Sequence, residues 1–253
     1  MHNIPKIKVE SLYKTFDTHK VLDGVSFEVK ENSSLVILGG SGTGKSVLIK
    51  SIIGLISPDA GSIQIDGVET VGIHRSQRFK ILEKFGFLFQ GGALFDSLNI
   101  QDNVTFLAEK QIKLSKEEKK DLAIRKLASV GLAEKVLHLY PSELSGGMLK
   151  RAALARTICN DPEIIFFDEP TTGLDPIMAN VINELIIKVR DELGATTVTI
   201  THDMNSAKMI ATEVALLDKG KVLWSGSKDD MQNSNNSHLY QFINGLTKGP
   251  IEV

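Results

Sequence analysis

The sequence predicts an α/β protein: a mostly parallel sheet covered by helices, with an antiparallel β region at its start and a helical stretch in its middle. Three observations carry this. Leu35–Leu38, Ile164–Phe167 and Val214–Leu217 are apolar at every position, as in strands buried on both faces. Turn residues and then helical periodicity follow such runs, the alternation of an α/β domain. The early segments alternate instead, and no strand pattern occurs from about Ile100 to Cys159.

In chain order, Lys6–Leu12, Val21–Val29 and Ser62–Ile65 alternate apolar and polar residues across short turns, which predicts an antiparallel sheet beside the main one. Leu35–Leu38 is the first buried strand, and Val47–Ile56 the helix after it. Gly86–Phe89 is a further strand. In the helical stretch, Lys113–Arg125 is charge-rich, with Ser115 as N-cap and Glu117 and Glu118 in the first turn, and its charges read as a solvated face. Beyond Ile164–Phe167, the residues Val181, Ile182, Leu185, Ile186 and Val189 recur at helical spacing. Pro176 suits the first turn of that helix and Gly194 its end. Thr196–Ile200 is the next strand, and Val214–Leu217 the last of the buried runs. A polar run, Gln232–Ser237, precedes a short helix at His238–Leu246.

Composition narrows the function. Of 253 residues, 42% are hydrophobic and 24% charged, which excludes disorder of the whole chain. A net charge of -2 argues against a strongly basic nucleic-acid binder. The single cysteine, Cys159, has no partner for an internal disulfide and reads as a small core residue. Met1–Glu10 lacks the apolar stretch of a secretion signal. No run reaches the ~18 apolar residues of a membrane helix, so work at a membrane requires another chain as anchor. No internal repeat is present.

Gly39-Gly40-Ser41-Gly42-Thr43-Gly44-Lys45-Ser46 fits the phosphate-loop pattern G-x-x-x-x-G-K-[ST], placed between a buried strand and a helix. Glycines let backbone N–H groups converge on phosphate oxygens, and the helix N-terminus adds positive potential. Lys45 is expected on the β- and γ-phosphates and Ser46 on Mg2+. Asp168-Glu169 ends the strand Ile164–Phe167, at the edge where open α/β sheets bind ligands. Adjacent carboxylates on a strand end point in different directions, so one can hold Mg2+ and the next can orient the attacking water.

Leu144-Ser145-Gly146-Gly147-Met148 resembles the LSGGQ signature of ABC ATPases, with Met148 in place of the usual Gln. The family's other motifs occur in its order. Gln90 resembles the Q-loop, Gly173-Leu174-Asp175 the D-loop and His202 the switch histidine. Phe16, in Lys14-Thr15-Phe16-Asp17, takes the place of the aromatic that stacks on adenine. The resemblance runs from about Lys6 to Ser227. It implies an ABC ATPase domain over 1–227, with an N-terminal antiparallel β subdomain and an inserted helical subdomain at about 91–160; residues 228–253 form a polar linker and C-terminal helix. By the same resemblance, Phe16, Gly39 to Val47 and the partner chain's copies of Ser145, Gly146 and Gly147 bind the nucleotide. Ser46, Gln90 and Asp168 serve Mg2+, and Glu169, His202 and Gln90 are catalytic. Two copies pair head-to-tail, each ATP lying between one phosphate loop and the other copy's signature. Each residue has a plainer alternative: Phe16 as strand-end filler, Gln90 as a loop polar residue, His202 as a strand-end histidine, Asp175 as a helix cap.

One ATPase domain, no coiled-coil insertion and no basic arm favour a transporter subunit. Leu94, Phe95 and Leu98, within Gln90–Asn103, are expected near the groove that receives a helix of the membrane subunit, or in the core. Gly39 to Val47, Phe89-Gln90-Gly91-Gly92-Ala93-Leu94-Phe95, the signature with Leu149-Lys150-Arg151, and Tyr240 to Gly245 with Gly249-Pro250 are similar to the Mla/Mce-associated ATPases. That resemblance implies a homodimer on the cytoplasmic side of the inner membrane. Its partners are permease subunits, a small accessory domain and a membrane-anchored substrate-binding protein, its cargo phospholipid, and no nucleic acid is involved. The alternatives are another importer cargo such as an amino acid, or a non-transport ABC ATPase. The sequence stops at Val253, without the longer tail some relatives carry, which puts a tail-mediated contact across the dimer in doubt.

Overall fold

Alternating and continuous apolar segments fold into separate sheets. A computed structural model describes residues 4–252 and divides into two units, residues 4–84 with 196–252, and Phe85–Ala195.

In the first unit, β1 (Ile7–Phe16), β2 (His19–Val29), β4 (Ala60–Ile65) and β5 (Val68–Glu69) form an antiparallel sheet in the order β2-β1-β4-β5. Ile7, Val9, Leu12, Leu22, Val25, Val29, Ile63 and Ile65 bury its inner face. Strand β3 (Ser34–Leu38) pairs in parallel with β8 (Thr196–Thr201) and with β9 (Glu213–Asp218), and β10 (Lys221–Ser227) adds an antiparallel edge. All residues of β3 and β8 are buried; in β3 the apolar run Leu35–Leu38 matches this, while β8 buries four threonines beside Val198 and Ile200. The helices of this unit are α1 (Lys45–Ile52), α2 (Arg75–Leu82), α7 (Met204–Ile210), α8 (Lys228–Asn233) and α9 (Ser237–Asn244). Helix α1 stops short of the expected Ile56, because Gly54 turns the chain at φ 77°.

In the second unit, β6 (Phe85–Leu88) and β7 (Ile164–Asp168) pair in parallel, with Leu88 opposite Phe167. Phe85 and Phe87 pack on Phe166, with ring centroids 5.2 and 6.1 Å apart. The helices are α3 (Ile100–Gln111), α4 (Lys116–Ser129), α5 (Gly146–Thr157) and α6 (Pro176–Leu193). Helix α4 opens on the expected Ser115 cap: the hydroxyl accepts from Glu118 N–H, and the Glu118 carboxylate accepts from Ser115 N–H. Helix α6 starts at Pro176 and ends at Gly194, as read from the sequence. The fully buried Asn103 ties the segment before α3 to that helix: its carbonyl accepts from Phe95 N–H, and its amide donates to the Phe95, Leu98 and Asn99 carbonyls. Among the described residues no helix is long and apolar enough to cross a membrane.

Candidate functional site

The first unit contributes the phosphate loop. Leu38 of β3 lies opposite Thr201 of β8, so Gly39 and His202 leave neighbouring parallel strands at the same sheet edge. A Cβ on Gly39 would stand 2.4 Å from the Leu217 carbonyl oxygen, so only glycine lets the loop turn off there. Gly42 needs glycine for another reason: its φ is 77° with open space around it. Lys45, 8% exposed, donates to the Gly39 and Gly40 carbonyls, both at 2.7 Å, which holds its ammonium over the loop. Thr43 donates to the Gly40 carbonyl at 3.0 Å. Ser46 is exposed and Val47 half-buried.

The first turn of α1 fits a polyphosphate. Every other α-helix among the described residues has a side chain accepting from its first-turn amides; α1 has none and carries no acidic residue there. No side-chain cap competes with an anion at this helix start, and the glycines leave room for one.

His202 is exposed at the end of β8, and Asp203 caps α7 by accepting from Asn205 and Ser206 N–H. Phe16 ends β1 with 43% of its surface exposed, opposite His19 across the β1–β2 turn. Asp59 accepts from Lys14 Nζ at 2.8 Å and Thr15 N–H at 2.7 Å, fixing that strand end. These bonds hold the Asp59 carboxyl below its ordinary range. The ring is part-exposed on a pinned strand end, with Lys14 Nζ 5.2 Å from its centre.

The second unit brings Gln90 and the acidic pair to one sheet edge, since Leu88 and Phe167 are in register. Gln90 is exposed, while Asp168 and Glu169 are half-buried. Glu169 has φ 48°, a left-handed conformation uncommon for a residue with a side chain. Thr172 Oγ1 donates to the Glu169 carboxylate at 3.1 Å. Such backbone strain concentrates at working sites.

Ser145 is exposed and caps α5, accepting from Met148 N–H at 3.3 Å; Gly146 and Gly147 form the first turn. A Cβ on Gly147 would meet the Met178 methyl at 2.3 Å, so the signature loop seats on the start of α6. Asp175 caps α6, its carboxylate accepting from Ile177 and Met178 N–H at 3.0 Å each. Cys159 is buried, and burial pushes its thiol up to about 11, in keeping with a core role.

Lys150 and Arg156 carry structure that the sequence reading missed. Lys150, buried on α5, donates to the Gln90 carbonyl. Burial pushes its ammonium down, against the raising effect of Asp168 and Glu169. Arg156 donates to the Ala93 carbonyl at 2.6 Å. In sequence both look like solvated charges on a helix.

A family model described as ABC transporter matches residues 22–172. The chain is 38% identical over 247 residues to the probable ribonucleotide transport ATP-binding protein mkl of Mycobacterium leprae, covering 97% of this chain and 70% of that one. It is 35% identical over 245 residues to the intermembrane phospholipid transport system ATP-binding protein MlaF of Haemophilus influenzae, covering 97% and 92%. A solved ATP-binding cassette, dimeric and in a post-hydrolysis state with ADP and Pi, superposes with a TM-score of 0.81 at 31% identity, covering 88% of this chain and 98% of that one. With its phosphate loop, its acidic strand end and its signature-like turn, the chain belongs to the ABC transporter family as an ATP-hydrolysing cassette.

Proposed function

We propose that this chain is the ATPase motor of a membrane transporter that moves phospholipid between the membranes of a diderm bacterium. The observation that carries the motor reading is the start of α1: a helix N-terminus with no side-chain cap, glycines before it and the Lys45 ammonium held over the loop. The cargo reading rests on the MlaF relative and on the Phe89 to Phe95 and signature segments.

The residues divide the work as follows. Loop amides from Gly39 to Val47, including Ser41, Thr43 and Gly44, with Lys45, bind the phosphates, and Phe16 stacks on the adenine. Ser46, Asp168 and Gln90 offer hard oxygen donors suited to Mg2+, which when bound neutralises charge on the phosphate oxygens. Glu169 orients or deprotonates the attacking water. His202 steadies the γ-phosphate. Ser145, Gly146 and Gly147 contact the nucleotide held by a second copy, so binding closes a head-to-tail homodimer and hydrolysis reopens it. With Met148 the capping serine and both glycines remain, so activity is kept.

The cassette sits on the cytoplasmic face of the inner membrane, held there by permease subunits. Phe95, 38% exposed beside the half-buried Leu94 and Leu98, suits the docking of a permease helix. A small accessory domain and a membrane-anchored substrate-binding protein complete the assembly. The mkl relative favours a second reading, a ribonucleotide cargo. Detergent extraction with the permease bound, followed by transfer assays between vesicles, separates them. ATP-dependent movement of phospholipid supports the proposal. Uptake of ribonucleotide without lipid movement supports the second reading, and recovery of the chain without any permease contradicts both.

A further inference from the structure

Helix α5 grips the chain around Gln90 by its backbone. Lys150 donates to the Gln90 carbonyl, Arg156 to the Ala93 carbonyl at 2.6 Å, and Thr157 Oγ1 to the Phe87 carbonyl at 3.1 Å. The Arg156 guanidinium also lies 4.6 Å from the centre of the Phe95 ring. The backbone from Phe87 to Phe95 is thus fastened to the helix whose first turn is Gly146 and Gly147.

Lys150 is the unusual member. It is 5% exposed, and its ammonium bonds a neutral carbonyl. A buried ammonium is costly unless opposite charge compensates it, and a Leu or Met would fill the same space more cheaply. The compensating charges are Asp168 and Glu169. A buried cation that holds the backbone of Gln90 by hydrogen bond serves geometry rather than stability.

We propose that Lys150 is a positioning residue for ATP hydrolysis, tying the backbone of Gln90 to the signature helix and holding it in a fixed place relative to Asp168 and Glu169. The inference rests on the ATPase reading above. It assigns Lys150 no contact with nucleotide.

Two readouts on the full chain test it, using Lys150→Met and Lys150→Arg. The first is amide hydrogen exchange of residues 89–95 without nucleotide. Lys150→Met is expected to exchange several-fold faster there, with melting temperature close to wild type, and Lys150→Arg to exchange like wild type. The second is ATP turnover. Misplacement of a group near the chemistry lowers kcat by on the order of ten- to a hundred-fold. Lys150→Met is expected to lose that much in kcat with KM within about twofold, and Lys150→Arg to recover most of it. Wild-type exchange and kcat in Lys150→Met overturn the proposal, as does a change confined to KM. So does a loss that Lys150→Arg shares in full. If Lys150→Met fails to fold, Lys150→Gln replaces it with the same criteria. A wild-type chain without ATP turnover sinks the ATPase reading instead, and the exchange arm still decides whether Lys150 holds the loop.

Discussion

Adding one methyl group to Gly39 should disable the phosphate loop by collision, and the same change at Gly42 should not. At Gly39 the new Cβ would lie 2.4 Å from the Leu217 carbonyl oxygen and 2.8 Å from Thr43 Oγ1. The carbonyl is backbone of β9, at a residue paired with Val222 of β10, so it cannot swing aside as a flexible side chain would. Overpacking of this kind costs about 1–3 kcal/mol if the fold absorbs it. A shift of the loop relieves the clash, but it moves the amides that receive the phosphates, and each 1.4 kcal/mol of lost binding is roughly tenfold in affinity. At Gly42 there is nothing within 4 Å, and only the positive φ penalises a side chain, by roughly 1–2 kcal/mol. Titration with a fluorescent ATP analogue, alongside thermal unfolding, reads both effects. Gly39→Ala is expected to lose about tenfold or more in affinity, and Gly42→Ala distinctly less. Affinity within twofold of wild type in Gly39→Ala refutes the reasoning.

Two further outcomes follow from buried groups. Asn103→Ala removes four hydrogen bonds and strips Phe95 N–H of its acceptor, and should cost about 3 kcal/mol. At this chain length that lowers the melting temperature by roughly 6–12 °C, and a loss under about 1 kcal/mol contradicts the account of that loop. Cys159, raised to about 11 by burial, stays protonated at pH 8, because a raised thiol pKa keeps the thiolate scarce until the pH nears that value. An aromatic disulfide reagent at pH 8 should leave the native chain unlabelled and label it after denaturation; rapid native labelling would contradict the buried placement.

Much of the fold was legible because burial leaves a strong mark on sequence. Residues of β3, β7 and β9 are apolar at nearly every position, and α6 announces both of its ends with Pro176 and Gly194. Strand β10 went unread because its mixed, half-exposed edge carries neither pattern, and α2 because it buries no residue. Strands β1 and β2 run beyond their apolar cores to a tight turn at Phe16 and His19, where pairing rather than hydrophobicity sets their length. In the site, residue type and spacing pointed to Lys45, Asp168 and Ser145. Spacing carries no signal for the left-handed φ of Glu169, nor for the burial of Lys150, which arises because α5 turns that lysine toward Gln90.

The central claim is that one copy's signature turn faces the phosphate loop of another across ATP. Ser145→Cys and Ser41→Cys, introduced together into the Glu169→Gln chain, test it by oxidative crosslinking, with the buried Cys159 left in place. The account predicts a disulfide-linked dimer that forms with ATP and not without it. Monomer alone in the ATP-loaded sample, or crosslinking at the same rate with and without nucleotide, would contradict it.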